Sequence, residues 1–128
     1  MSAAARIVRP GGTIVMAAAC EDGIPNHGCY AELLQRGGSP QGVLDMLAQP
    51  GFSEQDQWQV QIQAQIQLGA EVLVYSDGLT DTQIQQALFT PCRDVGQAVA
   101  ERRARLGAHA RVCIMPEGPQ TIAFVRQN

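Results

Sequence analysis

Lysine is absent from this chain: all nine basic residues are arginine. No lysine amine is therefore available to form a Schiff base or to tether a cofactor. Histidine is scarce as well, with only His27 and His109, and neither stands in an acid–base pair at motif spacing. Aromatic residues are few, and there is a single tryptophan, Trp58. The net charge of −3 provides no basic footprint for nucleic acid or for an anionic membrane. Apolar runs fall short of the roughly 20 residues that cross a bilayer. The amino terminus lacks the charged-then-apolar pattern of a secretory signal, so the expected location is cytoplasmic. Four cysteines (Cys20, Cys29, Cys92 and Cys113) are scattered rather than grouped in pairs, which predicts free and mostly buried thiols. His27-Gly28-Cys29 offers two ligands where a closed metal site needs about four, and no metal is expected there.

What the sequence does contain is strands alternating with helices. At 128 residues the chain is one domain by length. Such a domain buries about two-thirds of the surface exposed by its unfolded chain. Ser2 to Val8 reads as the end of a helix stopped by Pro10-Gly11-Gly12, which suggests upstream residues of the same fold. Thr13 to Cys20 is continuously apolar, as in a strand of a parallel sheet covered on both faces, and its place is expected in the sheet interior. The polar loop Glu21–Cys29 follows at the carboxyl end of that strand, where open α/β sheets place ligands. It reads equally as a rim facing a partner domain and as an ordinary solvated loop.

Short helices are expected over Tyr30–Arg36 and Pro40–Ala48, the second capped by Ser39 with Pro40 in its first position. Glu71–Ser76 reads as a strand, also interior. Thr80 caps a helix over Asp81–Leu88, and Arg93–Leu106 reads as a longer helix with Val95, Ala98, Val99 and Leu106 inward and Gly107 past its end. Arg102, Arg103 and Arg105 look like a solvated face complementing the helix dipole, and His109 a surface residue. Two further strands are expected at Arg111–Met115 and Thr121–Val125. These elements predict an α/β, three-layer domain with a central, mostly parallel sheet flanked by helices.

Trp58 to Leu68 is ambiguous on its residues. Apolar side chains alternate with glutamines, which is the period of a strand, whereas glutamine and alanine favour a helix. For Trp58 the residues alone favour packing in the core, where a large aromatic surface usually goes.

The opening Ser2-Ala3-Ala4-Ala5-Arg6-Ile7-Val8-Arg9-Pro10-Gly11-Gly12-Thr13-Ile14-Val15-Met16-Ala17-Ala18 and the tripeptide Asp56-Gln57-Trp58 resemble the C-terminal domain of nickel-dependent lactate racemases and related 2-hydroxyacid racemases. So does the closing pattern of a helix to Gly107 followed by Ala110-Arg111-Val112 and Ile114-Met115-Pro116-Glu117-Gly118-Pro119. The resemblance implies a helix over Asp56–Leu68 and a Trp58 that faces a cofactor cleft. It further implies a nickel-pincer nucleotide, a 2-hydroxyacid substrate, and an N-terminal catalytic domain as partner that carries the histidines and the tethering lysine. This chain would then complete the cleft, supply Trp58 to the cofactor side, hold no cofactor by itself and be inactive alone. A reading from another class remains, a freestanding α/β binding or regulatory module for a small anion or a protein. Against it, Gly11-Gly12 precedes a strand and does not open a helix as a phosphate loop does.

Overall fold

The structure, a computed structural model, describes residues 1–107 and 109–126. A short helix α1 (Ser2–Ala5) leads into β1 (Gly12–Ala17), followed by the helices α2 (Tyr30–Gly37), α3 (Pro40–Leu47) and α4 (Gln57–Gly69). The chain continues through β2 (Ala70–Tyr75), α5 (Asp81–Gln86), β3 (Thr90–Pro91) and α6 (Val95–Leu106), with a 3-10 turn at Gly118–Gln120. β1 pairs with β2 in parallel, Ile14 opposite Val72 and Met16 opposite Val74. β2 pairs with β3 in parallel, Leu73 opposite Thr90. The α/β architecture with a central parallel sheet flanked by helices is the one the sequence predicts.

Local chemistry sets the helix starts. The Ser39 hydroxyl accepts the Gly42 N–H at 3.0 Å with Pro40 in the first turn. Thr80 and Gln83 form a reciprocal capping box at the start of α5. Asp94 accepts the Gln97 N–H at 2.8 Å and opens α6.

Alternation along the strands divides the core. Ile14, Ala70 and Val72 point to the layer made by α1 and α4, packing on Ala4, Val8 and Ile66. Val15, Leu73 and Tyr75 point to the opposite layer, where Val95 and Ala98 of α6 cover them together with Cys92. A further core lies among the helices themselves: Leu33, Leu34, Val43, Val60, Ala64 and Ala87 bring α2, α3, α4 and the end of α5 together.

Several expectations are corrected. In the sheet order β1-β2-β3 the interior strand is β2, and β1 lies at an edge. The apolar run of β1 reflects helices above and below it, not strands on both sides. Arg111–Met115 and Thr121–Val125 are not strands. Their β-forming residues find neither a ladder nor a covering layer, and Ile114 at 82% and Phe124 at 75% are exposed. Conversely, β3 at Thr90–Pro91 lay in a stretch that carries no strand signal. Leu106 is exposed rather than inward, and of the four thiols only Cys92 is buried.

Arg102 is not simply solvated. It grips Glu71 of β2 with two hydrogen bonds, Nε at 3.1 Å and Nη2 at 2.7 Å. The same carboxylate accepts the Thr13 hydroxyl of β1 at 3.0 Å and Arg105 Nη2 at 3.2 Å. One acidic side chain thus joins both long strands to α6. The Arg102 hydrogen bonds hold the Glu71 carboxyl below its ordinary value of 4.5, against an opposing push from partial burial. A carboxylate with a lowered value stabilises the fold fully above the ordinary value, and that contribution fades as the pH falls through the lowered one. Glu71→Gln is therefore expected to cost about 1–2 kcal/mol at neutral pH, with the gap to wild type closing in acid. Thermal melts of both proteins from pH 7 down to pH 3 measure this directly.

Candidate functional site

The site is organised by α4. On a helix each residue turns the side chain by about 100°, so residues two apart point to nearly opposite sides. The alternation of apolar residues with glutamines therefore produces two apolar stripes. Val60 and Ala64, buried, face the core of α2, α3 and α5. Trp58, Ile62 and Ile66 form the other stripe. Ile66 packs on the layer under the sheet, while Ile62 at 40% and Trp58 at 61% stay exposed. The glutamines divide too: Gln61 and Gln65 face outward, whereas Gln63 is buried and Gln67 half-buried between the stripes.

The exposed stripe is one wall of an open cleft of about 620 Å³. Trp58 and Ile62 share its lining with Met16 near the end of β1 and with Tyr30, His27 and Phe89 among others. The cleft thus lies at the carboxyl end of β1, and the Glu21–Cys29 loop contributes Pro25 and His27 to its rim. Much of the loop is otherwise exposed. The loop is pinned to the start of α4. Asp56, which adopts a left-handed conformation with φ 65°, accepts the Cys29 N–H at 2.9 Å. Gly28, with φ 75°, lets its backbone pass against the Asp56 carboxylate, where a Cβ would collide. Tyr30 is buried enough that its hydroxyl is pushed up to about 12, so it serves as a neutral hydrogen-bond donor.

Chemically, the cleft is mostly apolar, with Ser2, His27, Asp56 and Gln59 also at its lining. Among the described residues no three of histidine, cysteine, aspartate or glutamate gather as a metal set. No helix among them is long and apolar enough to cross a membrane. Sequence reasoning reached Trp58 and missed Tyr30, Ile62, Gln63 and Phe89. Once α4 is taken as a helix, Ile62 one turn after Trp58 could have been found by spacing. Phe89 comes from a turn that carries no signal of its own.

The model of the lactate racemase C-terminal domain matches residues 1–123 of this chain. The chain belongs to that family. It is 27% identical over 124 residues to the lactate racemase of Thermoanaerobacterium thermosaccharolyticum, covering 95% of this chain and 29% of that protein. It is 31% identical over 120 residues to the lactate racemase of Lactiplantibacillus plantarum, covering 92% of this chain and 28% of that protein. The structure of the lactate racemase apoprotein from Thermoanaerobacterium thermosaccharolyticum has the same fold, with a TM-score of 0.79 at 24% identity over 100% of this chain and 30% of that one. The chain therefore spans under a third of the length of these relatives of the family.

Two outcomes follow from the geometry. Trp58→Ala should cost less than about 1 kcal/mol of stability, against about 3–5 for a buried aromatic, because most of the ring already meets solvent. A melt far below wild type would place the indole in the core. Gly28→Ala should cost about 1–3 kcal/mol, through its left-handed backbone and the collision with Asp56. Chemical denaturation of each variant reads both effects.

Proposed function

We propose that this chain is the C-terminal, cleft-completing domain of a nickel-pincer-nucleotide-dependent racemase of lactate or a related 2-hydroxyacid, inactive in isolation. The observation that carries this reading is the second apolar stripe of α4. Trp58 and Ile62 are held out on a helix at the carboxyl end of β1, in a cleft whose described lining includes a single histidine, His27, and no lysine. Family membership over residues 1–123 and the share of under a third of each relative's length support a larger enzyme. The partner is then an N-terminal catalytic domain of the same protein, and the location cytoplasmic.

The residues present fit one side of such a cofactor. Trp58, Ile62, Met16 and Phe89 give the cleft an apolar part of its lining, suited to the face of a pyridinium-type ring, and an indole face attracts a cationic ring. They do not fit its attachment: the chain has no lysine. The bound nucleotide supplies a hydride acceptor for the substrate carbon. This chain's residues pack against the ring, exclude water from the reacting region and keep the wall apolar. Proton transfer at the substrate hydroxyl falls to the partner domain, since of the two histidines His27 alone is in the cleft lining and an acid–base pair needs two groups.

In the complete enzyme, Trp58→Ala should lower kcat by about 10- to 100-fold through loosened placement of the ring, while the melting temperature of this domain stays near wild type. Full activity in that variant would remove Trp58 from the cofactor side. The chain alone should show no racemisation of lactate and no stoichiometric nickel. About one nickel per chain by metal analysis would sink the division of labour between the domains.

A further inference from the structure

Three aromatic residues that line the cleft come from three different elements: Tyr30 from α2, Trp58 from α4 and Phe89 from the turn after α5. Behind them runs a chain of hydrogen bonds with one direction. The Tyr30 hydroxyl donates to Gln63 Oε1. The Gln63 amide donates to the Ala87 carbonyl at 2.7 Å and to Gln67 Oε1 at 3.3 Å. The Gln67 amide donates in turn to the Leu88 carbonyl. Gln63 is only 2% exposed, a polar side chain at the seam between two apolar clusters. Among the described residues no buried polar side-chain atom lacks a partner.

The turn that this chain holds is a strained one. Leu88 sits at φ 61°, a left-handed conformation that a branched side chain rarely adopts. Its carbonyl is fixed by Gln67, and the next residue, Phe89, donates its N–H to the Ile84 carbonyl at 3.0 Å. Gln63 both accepts and donates, so no apolar residue replaces it without orphaning the Tyr30 hydroxyl or the Ala87 carbonyl. A glutamate would accept from Tyr30 but has nothing to donate to Ala87. Every group in the relay is uncharged near neutral pH, which makes the arrangement insensitive to pH.

We propose that Gln63 is the positioning residue of the cleft: with Gln67 it fixes the turn carrying Phe89 and the ring of Tyr30 against α4, and so sets the width of the slot beside Trp58. The assignment rests on the reading above that this slot receives the flat ring of the cofactor. Gln63 acts through Tyr30 and Phe89 and takes no part in the chemistry.

The test compares Gln63→Met and Tyr30→Phe with Val95→Ala, which removes packing from α6 on the other side of the sheet. In isotope-labelled samples of this 128-residue chain, both relay variants should shift the Trp58 indole N–H and the Phe89 ring signals. They should also speed exchange of the Phe89 amide about tenfold. Val95→Ala, compared at equal distance below its melting temperature, should move neither. Tyr30→Phe removes a single hydroxyl and carries the test if Gln63→Met does not fold. Unmoved Trp58 and Phe89 signals in Tyr30→Phe, or equal shifts in Val95→Ala, overturn the positioning role. In the complete enzyme, Tyr30→Phe should lower kcat about tenfold with KM and the pH profile unchanged. Shifted signals without any loss of kcat would leave the wall geometry standing and overturn the cofactor reading of the slot.

Discussion

Everything in this domain is arranged around a helix that is apolar on two opposite sides. An α-helix at the margin of a small protein usually has one apolar face and can be peeled from its core as an amphipathic unit. In α4 the strict alternation of residues from Trp58 to Leu68 forbids that. Val60 and Ala64 knit the helical core, Ile66 reaches beneath the sheet, and Trp58 with Ile62 is left over on the outside. The helix therefore links the two halves of the interior and, by the same geometry, presents a surface the domain does not itself use. A buried helix would have hidden Trp58, and a one-faced helix would not have offered it.

Two polar devices keep this arrangement in register, and they differ in kind. On the sheet side, Glu71 gathers Thr13, Arg102 and Arg105, a charged knot at partly exposed positions that ties α6 to both strands. On the cleft side, Tyr30, Gln63 and Gln67 connect to the Ala87 and Leu88 carbonyls without any formal charge. Burial explains the division. A carboxylate and a guanidinium near solvent lose little hydration when they pair, whereas an ion pair at the depth of Gln63 would give up more in desolvation than it recovers. Amides, which both donate and accept, suit the deeper position.

What could be read in advance follows from how local each determinant is. Caps are local: Ser39 and Thr80 announce two helices within four residues of their starts, whereas Asp94 at the start of α6 was not singled out. The strand expected at Glu71–Ser76, β2 (Ala70–Tyr75) in the structure, is marked by the apolar run Val72-Leu73-Val74-Tyr75 between Gly69 and Asp77-Gly78. α4 was not legible from its residues alone, because period two fits a strand as well as a helix with two stripes, and only the likeness of Asp56-Gln57-Trp58 to a known pattern favoured the helix. Trp58 was reached the same way. The strands expected at Arg111–Met115 and Thr121–Val125 failed because propensity describes a residue's fitness for a sheet and not the presence of a neighbour. The edge position of β1 was hidden for a related reason, as apolar faces report helices above and below and say nothing about lateral partners. The roles of Arg102 and Gln63 depend on partners 31 and 24 residues away, Glu71 and Ala87, which no local pattern encodes.

The opposition of the two stripes on α4 has an evolutionary consequence. A half-turn of the helix separates positions where substitution changes folding from positions where it changes what meets the cleft. Drift at Val60 or Ala64 is policed by stability, whatever the domain is used for. Drift at Trp58 or Ile62 leaves the fold nearly untouched and is policed only by use. In a lineage that keeps the architecture but alters or abandons the reaction, the outer stripe should diversify first, and the inner one should persist as the family's signature.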